Sequence, residues 1–115
     1  MKVIYIAGPF RGPTAWAIEQ NVRRAETLAL KVWQLGAVAL CPHTNTRLFD
    51  KEADDIVFLD GTMELLRRCD AVLLTDDWQK SSGARAEVEE ARSLKRPVFA
   101  NIHDLHSWLL GEALR

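Results

Sequence analysis

The segment 81–87, SSGARAE, joins two hydroxyl side chains, a glycine and a carboxylate at the predicted start of a helix. Hydroxyl groups and free backbone N–H groups at a helix N-terminus form an anion-binding site. Glu87 follows one turn later, where its carboxylate either complements the helix dipole or acts on a ligand. Plain N-capping by Ser81 or Ser82 also explains the hydroxyls, so Ser81, Ser82 and Gly83 predict either an anion site or a cap.

A second candidate stretch, GPFRG, follows the first apolar run and comprises Gly8, Pro9, Phe10, Arg11 and Gly12. It matches neither the GxGxxG fingerprint nor the P-loop. Its glycines allow a ligand to approach the backbone closely, and a guanidinium suits a phosphate or a carboxylate. The alternative is a simple β-to-α turn with a solvated arginine.

The remaining polar candidates lie near predicted strand ends. Asp77 could reach sugar hydroxyls or serve a turn, and Trp78 could stack on a base or pack locally. His43 follows the second predicted strand and could line the same crevice, whereas Asp60 is most simply a helix cap. No Ser-His-Asp order and no metal-ligand spacing stands out, so we expect neither a metal ion nor a cofactor.

Strands that alternate with helices must position these residues. Continuous apolar runs rich in β-branched residues predict strands buried on both faces, and apolar residues at intervals of three and four predict helices. The segment 43–57 has no clear period and is predicted to be a long loop, with at most a helical turn. The predicted strands are 3–7, 37–41, 71–75 and 98–100, and the predicted helices are 14–35, a short one around 63–69 capped by Asp60 or Thr62, 84–95 and 103–115.

This alternation predicts an α/β fold, a flavodoxin-like three-layer sandwich with a mainly parallel sheet of four to five strands in the order 2-1-3-4. Ligands of such sheets bind beyond the carboxyl ends of the strands, where the chain reverses direction between strands one and three. The loops GPFRG and DDWQKSSG would border that crevice. The predicted binding site therefore lies between them.

Length and charge limit the class of protein further. With 115 residues we expect a single domain, 1–115, and a net charge of −1 does not suggest binding to a nucleic acid polymer. The apolar run 3–7 is too short for a signal or membrane segment, so we expect a cytoplasmic protein with no membrane partner. Cys41 and Cys69 are predicted to be buried thiols rather than a disulfide or a zinc site.

Three motifs taken together resemble the nucleoside 2-deoxyribosyltransferase superfamily, in particular its small DUF4406-type proteins. They are YIAGPFRG at 5–12, LLRRCDAVLL at 65–74 and WQKSSGARAEVEEA at 78–91, in the order and spacing of that family. The resemblance implies that Glu87 is the nucleophile and that Tyr5 lies beside it and the sugar.

The resemblance has further implications. Arg11 and Ser81 match positions that hold the 5′-phosphate in the nucleotide hydrolases of the superfamily. Many relatives carry an aspartate, eight residues before the aspartate of the CD pair, that helps to protonate the leaving base. Here that position is Thr62, and the nearest acid is Asp60. Relatives are usually dimers or larger, so a homodimer or higher homo-oligomer is expected.

The activity implied is cleavage or transfer of the N-glycosidic bond of a nucleoside or nucleoside 5′-monophosphate. Glu87 would attack C1′, and the base would leave with a proton from Asp60, Asp77 or water. The alternative is a binding module that recognises a nucleotide without cleaving it. Thr62 in place of the usual acid favours binding alone, whereas the intact Glu87 pattern favours catalysis.

Overall fold

Four short strands form one all-parallel sheet in the computed structural model, which describes residues 1–115. In chain order they are β1 (Val3–Ala7), β2 (Val38–Leu40), β3 (Ala71–Leu74) and β4 (Val98–Phe99). Across the sheet the order is β2-β1-β3-β4, with Tyr5 of β1 in register with Leu40 on one side and Val72 on the other. This confirms the predicted parallel sheet of order 2-1-3-4, with four strands.

Five helices connect and cover the strands. The hydroxyl of Thr14 caps α1 by accepting a hydrogen bond from the backbone N–H of Ala17, and Gly36 follows the helix with a positive φ of 86°. Ser81 caps α4 in the same way. The helices are α1 (Ala15–Gln34), α2 (Pro42–Asn45), α3 (Asp55–Arg67), α4 (Ser82–Ser93) and α5 (Ile102–Ala113).

The segment 43–57 departs from the long loop predicted for it. Pro42 opens the short helix α2, and α3 already begins at Asp55, with Asp54 as its N-cap residue. Asp60 and Thr62 therefore lie inside α3, and the prediction that one of them caps a shorter helix is wrong. The pattern was misleading because the first turns of α3 carry consecutive apolar residues, several of them exposed, which hides the helical period.

Alternating side chains of β1 divide the core into two layers, as the three-layer prediction requires. Ile4 and Ile6 face α1 and α5, and Tyr5 and Ala7 face α3 and α4. Cys41 and Cys69 are free thiols, half-buried and buried respectively. Burial, with the charge of Asp70 beside it, raises the pKa of Cys69 to about 11.

None of the five helices combines the length and the apolar character that crossing a membrane requires.

Candidate active site

Tyr5 and Glu87 meet on the face of the sheet that α3 and α4 cover. Tyr5 is fully buried in β1, and its hydroxyl donates a hydrogen bond to Oε2 of Glu87 on α4. The two residues are 82 positions apart in the chain. They meet because the period of β1 turns Tyr5 toward α4, and because Ser81 fixes where α4 begins. The predicted neighbourhood of these two side chains is therefore present in the fold.

The carboxyl group of Glu87 lies in an apolar environment and has no cationic partner. Burial raises its pKa to about 8, because a charge is poorly solvated there. Near neutral pH the greater part of the ligand-free protein therefore carries a protonated Glu87. A carboxyl group whose pKa is shifted this far, in contact with a buried tyrosine, is typical of catalytic sites.

The end of β1 packs tightly against the end of β3. A Cβ atom added at Gly8 would lie 2.9 Å from Cβ of Thr75 and closer still to its Oγ1 and Cγ2. At Gly12 an added Cβ would lie 2.8 Å from Cβ of Ala17. Both glycines therefore allow close packing of the chain at the predicted crevice, whether or not a ligand also approaches them.

His43 fastens the GPFRG loop to the end of β2. Its Nε2 lies 3.1 Å from the carbonyl oxygen of Gly8 and 2.9 Å from that of Pro9, and the ring of Phe10 packs edge-on against it. Two acceptors at Nε2 place the proton there and leave the buried Nδ1 without a hydrogen-bond partner. Burial lowers the pKa of His43, against the opposing effect of the two carbonyl groups. The ring therefore acts as a neutral donor beneath the loop.

Arg11 extends from this loop toward α3 and forms an ion pair with Asp55, with 2.9 Å between Nη2 and Oδ2. Both side chains are more than half exposed. They border an open cavity of about 490 Å³, lined by Arg11, Asp50, Lys51, Ala53, Asp54 and Asp55. The guanidinium is thus accessible to an anion, but the carboxylate of Asp55 already occupies one of its N–H donors.

The start of α4 combines the two features that the sequence left as alternatives, an N-cap and free donor groups suited to an anion. Oγ of Ser81 accepts a hydrogen bond of 3.1 Å from the backbone N–H of Ala84, which is ordinary N-capping. This cap uses the oxygen as acceptor and leaves the hydroxyl proton available as a donor. Ser82 and Gly83 are exposed. Their backbone N–H groups lie in the first turn of α4, where N–H groups have no hydrogen-bond acceptor within the helix.

Asp77 and Trp78 are more constrained than the sequence suggested. Asp77 accepts a hydrogen bond of 2.9 Å from Oγ1 of Thr75 and pairs at 2.9 Å with Nη1 of Arg24. Trp78 is half-buried and packs against the core cluster beneath α3 and α4. Asp77 thus has partners in its own loop and on α1, and Trp78 makes the packing contacts that are one of its two predicted roles.

Asp60 is the candidate that the fold connects least to the others. It lies in the second turn of α3 and is exposed, and its side chain forms no hydrogen bond or ion pair. Thr62 is half-buried on the same helix. The structure thus brings Tyr5 and Glu87 into contact. The side chain of Asp60 contacts neither of them.

Sequence reasoning missed two polar residues of α1, Asn21 and Arg24. Asn21 donates to the carbonyl oxygens of Phe10 and Arg11, and Arg24 reaches Asp77. The only signal in the sequence was their spacing of three, which places both on one face of a helix. Their partners come from loops that only the tertiary fold brings near.

The all-parallel sheet of order β2-β1-β3-β4 and the helices that cover it give this protein the fold of two solved 2-deoxyribosyltransferases. The 2-deoxyribosyltransferase of Bacillus psychrosaccharolyticus, described as a biocatalyst for nucleoside synthesis, matches with a TM-score of 0.62 and 20% identity over 84% of this chain and 69% of its own. The Leishmania mexicana 2-deoxyribosyltransferase matches with a TM-score of 0.62 and 18% identity, over 85% of this chain and 62% of its own.

The chain belongs to the family described as domain of unknown function DUF4406, whose profile matches residues 2–100. No curated protein matches the sequence. The family membership and the fold agree with the resemblance that the three sequence motifs carry.

Proposed function

We propose that this protein cleaves or transfers the N-glycosidic bond of a nucleoside or (deoxy)nucleoside 5′-monophosphate, with Glu87 as the nucleophile. The observation that carries the proposal is the half-buried carboxyl group of Glu87, whose pKa is raised and which accepts a hydrogen bond from the fully buried Tyr5 of β1. Two proteins of this fold that are named 2-deoxyribosyltransferases support the substrate class.

The chemistry fits a carboxyl in a poorly solvated site. Departure of the base leaves positive charge at C1′, and an ionised Glu87 stabilises this charge and then forms a bond to C1′. The same charge develops only as the base departs, so the ionised form of Glu87 is the reactive one, and a protonated Glu87 must first release its proton to water. The hydroxyl of Tyr5 supports the anion by donating to it. Water then releases the sugar in a hydrolase, and an acceptor base releases it in a transferase.

The base needs a proton as it leaves. Asp77 is already engaged by Thr75 and Arg24, and Asp60 is exposed on α3 with no contact to the other site residues. Glu87 cannot supply this proton, because the carboxyl group must already be ionised, with its proton released to water, before it attacks C1′. Water is therefore the simplest donor, with Asp60 the second choice.

Three groups favour a phosphorylated substrate. Arg11 supplies a guanidinium at the crevice, Ser81 keeps a free hydroxyl proton, and the first N–H groups of α4 at Ser82 and Gly83 point out of the helix end. A phosphate held by these groups would position the sugar above Glu87, and such positioning lowers the barrier to reaction.

Base release from a panel of nucleosides and their 5′-monophosphates tests the proposal. Wild-type protein is expected to release free base from at least one of them, and Glu87→Gln to release none. Glu89→Gln is the matched control, because Glu89 is an exposed glutamate on the same helix. No release by the wild type, or equal release by Glu87→Gln, would refute the enzymatic activity.

The second candidate function is a nucleotide-binding module without catalysis. It is favoured by the protonated state of Glu87 at neutral pH and by the lack of an acid in contact with the site. In this case a nucleotide would raise the melting temperature of the protein and be recovered unchanged. Cleavage of the stabilising nucleotide would exclude the second candidate.

We also propose that the protein acts as a homodimer or higher homo-oligomer. Exposed apolar side chains concentrate between the end of α2 and the first turns of α3: Leu48, Phe49, Ile56, Val57 and Leu59. A concentration of this kind marks an association surface, and a second copy would cover it. Light scattering is expected to show an oligomer that Ile56→Lys dissociates and that Leu110→Lys, an exposed leucine of α5, leaves intact. A monomeric wild type would contradict this proposal.

A further inference from the structure

Two side chains of α1 join the two loops that border the crevice. The first loop is the GPFRG segment 8–12 after β1, and the second is the segment 75–78 after β3. Asn21 and Arg24 lie three residues apart on α1 and contact one loop each. We call this pair of side chains the α1 bridge.

At the first loop the bridge binds backbone. Nδ2 of Asn21 lies 3.1 Å from the carbonyl oxygen of Phe10 and 3.2 Å from that of Arg11. Its Oδ1 accepts a hydrogen bond of 3.1 Å from Nη1 of Arg24. The amide of Asn21 is thereby oriented, with its donor toward the loop and its acceptor toward the arginine.

At the second loop the bridge binds a carboxylate. Nη1 of Arg24 lies 2.9 Å from Oδ2 of Asp77, and Oδ1 of the same aspartate accepts a hydrogen bond of 2.9 Å from Thr75. Thr75 is buried and packs directly on Gly8. The contacts therefore form a closed ring that runs from the first loop through α1 to the second loop and back.

We propose that Asn21 and Arg24 are positioning residues, which hold Arg11 and the 75–78 loop in a fixed relation to the nucleophile. The inference rests on the proposed function for its catalytic part. A lone exposed ion pair contributes little to the stability of a fold. Here Arg24 is also oriented by its hydrogen bond to Asn21, and Asp77 by its hydrogen bond from Thr75. The paired charges of Arg24 and Asp77 cancel, so the bridge acts by position rather than by attracting the ligand.

This role makes the bridge a determinant of phosphate preference. Its first end holds the backbone of Arg11, the residue proposed to contact the 5′-phosphate, and it has no direct contact with Glu87. Loss of the bridge is therefore expected to raise KM for a nucleoside 5′-monophosphate more than for the corresponding nucleoside. The kcat of either substrate should change less than KM, because Tyr5 and Glu87 lie on the other face of the sheet.

Arg24→Gln tests the bridge, and Arg23→Gln is the matched control. Arg23 is the adjacent arginine of α1, and it pairs only with Glu19 and Glu26 of its own helix. Amide hydrogen exchange of the ligand-free proteins measures the bridge without any substrate. Exchange in 8–12 and 75–78 is expected to be about fivefold faster in Arg24→Gln and unchanged in Arg23→Gln.

Kinetics on a nucleotide and its nucleoside then test the catalytic part. Arg24→Gln is expected to reduce the ratio of the two kcat/KM values about fivefold through KM, and Arg23→Gln to leave it unchanged. Unchanged exchange in both loops would overturn the bridge itself. Faster exchange with an unchanged ratio would overturn its role in positioning. A wild-type protein that cleaves neither substrate would refute the proposed function and the positioning role, while exchange would still decide whether the bridge holds the loops.

Discussion

The hydroxyl of Tyr5, in the middle of the first strand, donates a hydrogen bond to Oε2 of Glu87 on α4. It is the only hydrogen bond that the Glu87 carboxyl forms, and it comes from a side chain that is itself fully buried. The contact thus holds in place the carboxyl group on which the proposed chemistry depends, and burial raises the pKa of that group.

Replacing Glu87 by glutamine is expected to stabilise the protein at alkaline pH. The pKa of Glu87 is about 8 in the folded protein and near its ordinary value of 4.5 in the unfolded chain. Between these values the folded state binds more protons, so wild-type stability falls as pH rises through this window. The free-energy advantage of Glu87→Gln should grow from pH 5 to pH 8, to a few kcal/mol at most, and then level off. Urea unfolding at intervals of one pH unit measures it, and a constant difference would contradict the raised pKa.

Tyr5→Phe removes the hydroxyl and keeps the ring that fills the core. Loss of a donor to the anion is expected to raise the pKa of Glu87 further, and to reduce kcat about tenfold or more with little change in KM. The fall in stability should be about 1–2 kcal/mol, as for one buried hydrogen bond. A pH–rate profile checks the pKa, since its rise with pH should move to higher pH in the variant. An unchanged profile would show that the hydroxyl does not act on Glu87.

Burial of His43 predicts that acid weakens the fold. Its pKa is lowered in the folded protein, so the unfolded chain binds more protons as pH falls below about 6.5. The stability contributed by the neutral ring is therefore present above that pH and is lost as pH decreases. His43→Asn should lack this part of the pH dependence, and His103→Asn, at an exposed position, should retain it. Thermal unfolding between pH 5 and pH 7.5 measures the slopes, and equal slopes in the two variants would contradict the prediction.

Asp55→Asn is expected to strengthen binding of phosphorylated ligands. Asp55 pairs with Arg11 at 2.9 Å, so a phosphate must compete with it for the guanidinium. Exposed ion pairs contribute up to about 1 kcal/mol, which limits the gain in affinity to about fivefold. Glu89→Gln is the control, because Glu89 is exposed, forms no ion pair and does not line the cavity that contains Arg11. Calorimetric titration with a nucleoside 5′-monophosphate measures the affinities. Equal affinities of the two variants would show that Arg11 does not bind the phosphate.

Gly8→Ala and Gly61→Ala should change stability in opposite directions. A methyl group at Gly8 would overlap the side chain of Thr75, and such overpacking costs about 1–3 kcal/mol. At Gly61, within α3, nothing lies within 4 Å, so alanine should stabilise by about 0.5–1 kcal/mol through its helix propensity. Chemical unfolding gives both values. A stabilising Gly8→Ala would contradict the close packing of β1 on β3.

The sheet could be predicted because its strands are short, continuous apolar runs separated by helical patterns, which leave few topologies open. The start of α3 could not, because exposed apolar residues such as Ile56 and Leu59 hide its period. The contact between Tyr5 and Glu87 could be predicted only from the family resemblance, because the sequence around either residue gives no sign that the two side chains meet. Asn21 and Arg24 were missed because their partners are loop atoms that only the folded chain brings within reach.

The most direct test of the central claim is a search for the sugar bound to Glu87. The protein is mixed with a nucleoside 5′-monophosphate fluorinated at C2′, which slows release of the sugar, and is then quenched, digested and analysed by mass spectrometry. A sugar phosphate is expected on the carboxyl group of Glu87, in the peptide that contains this residue. A sugar attached to any other residue, or base released with no attached sugar at all, would contradict it.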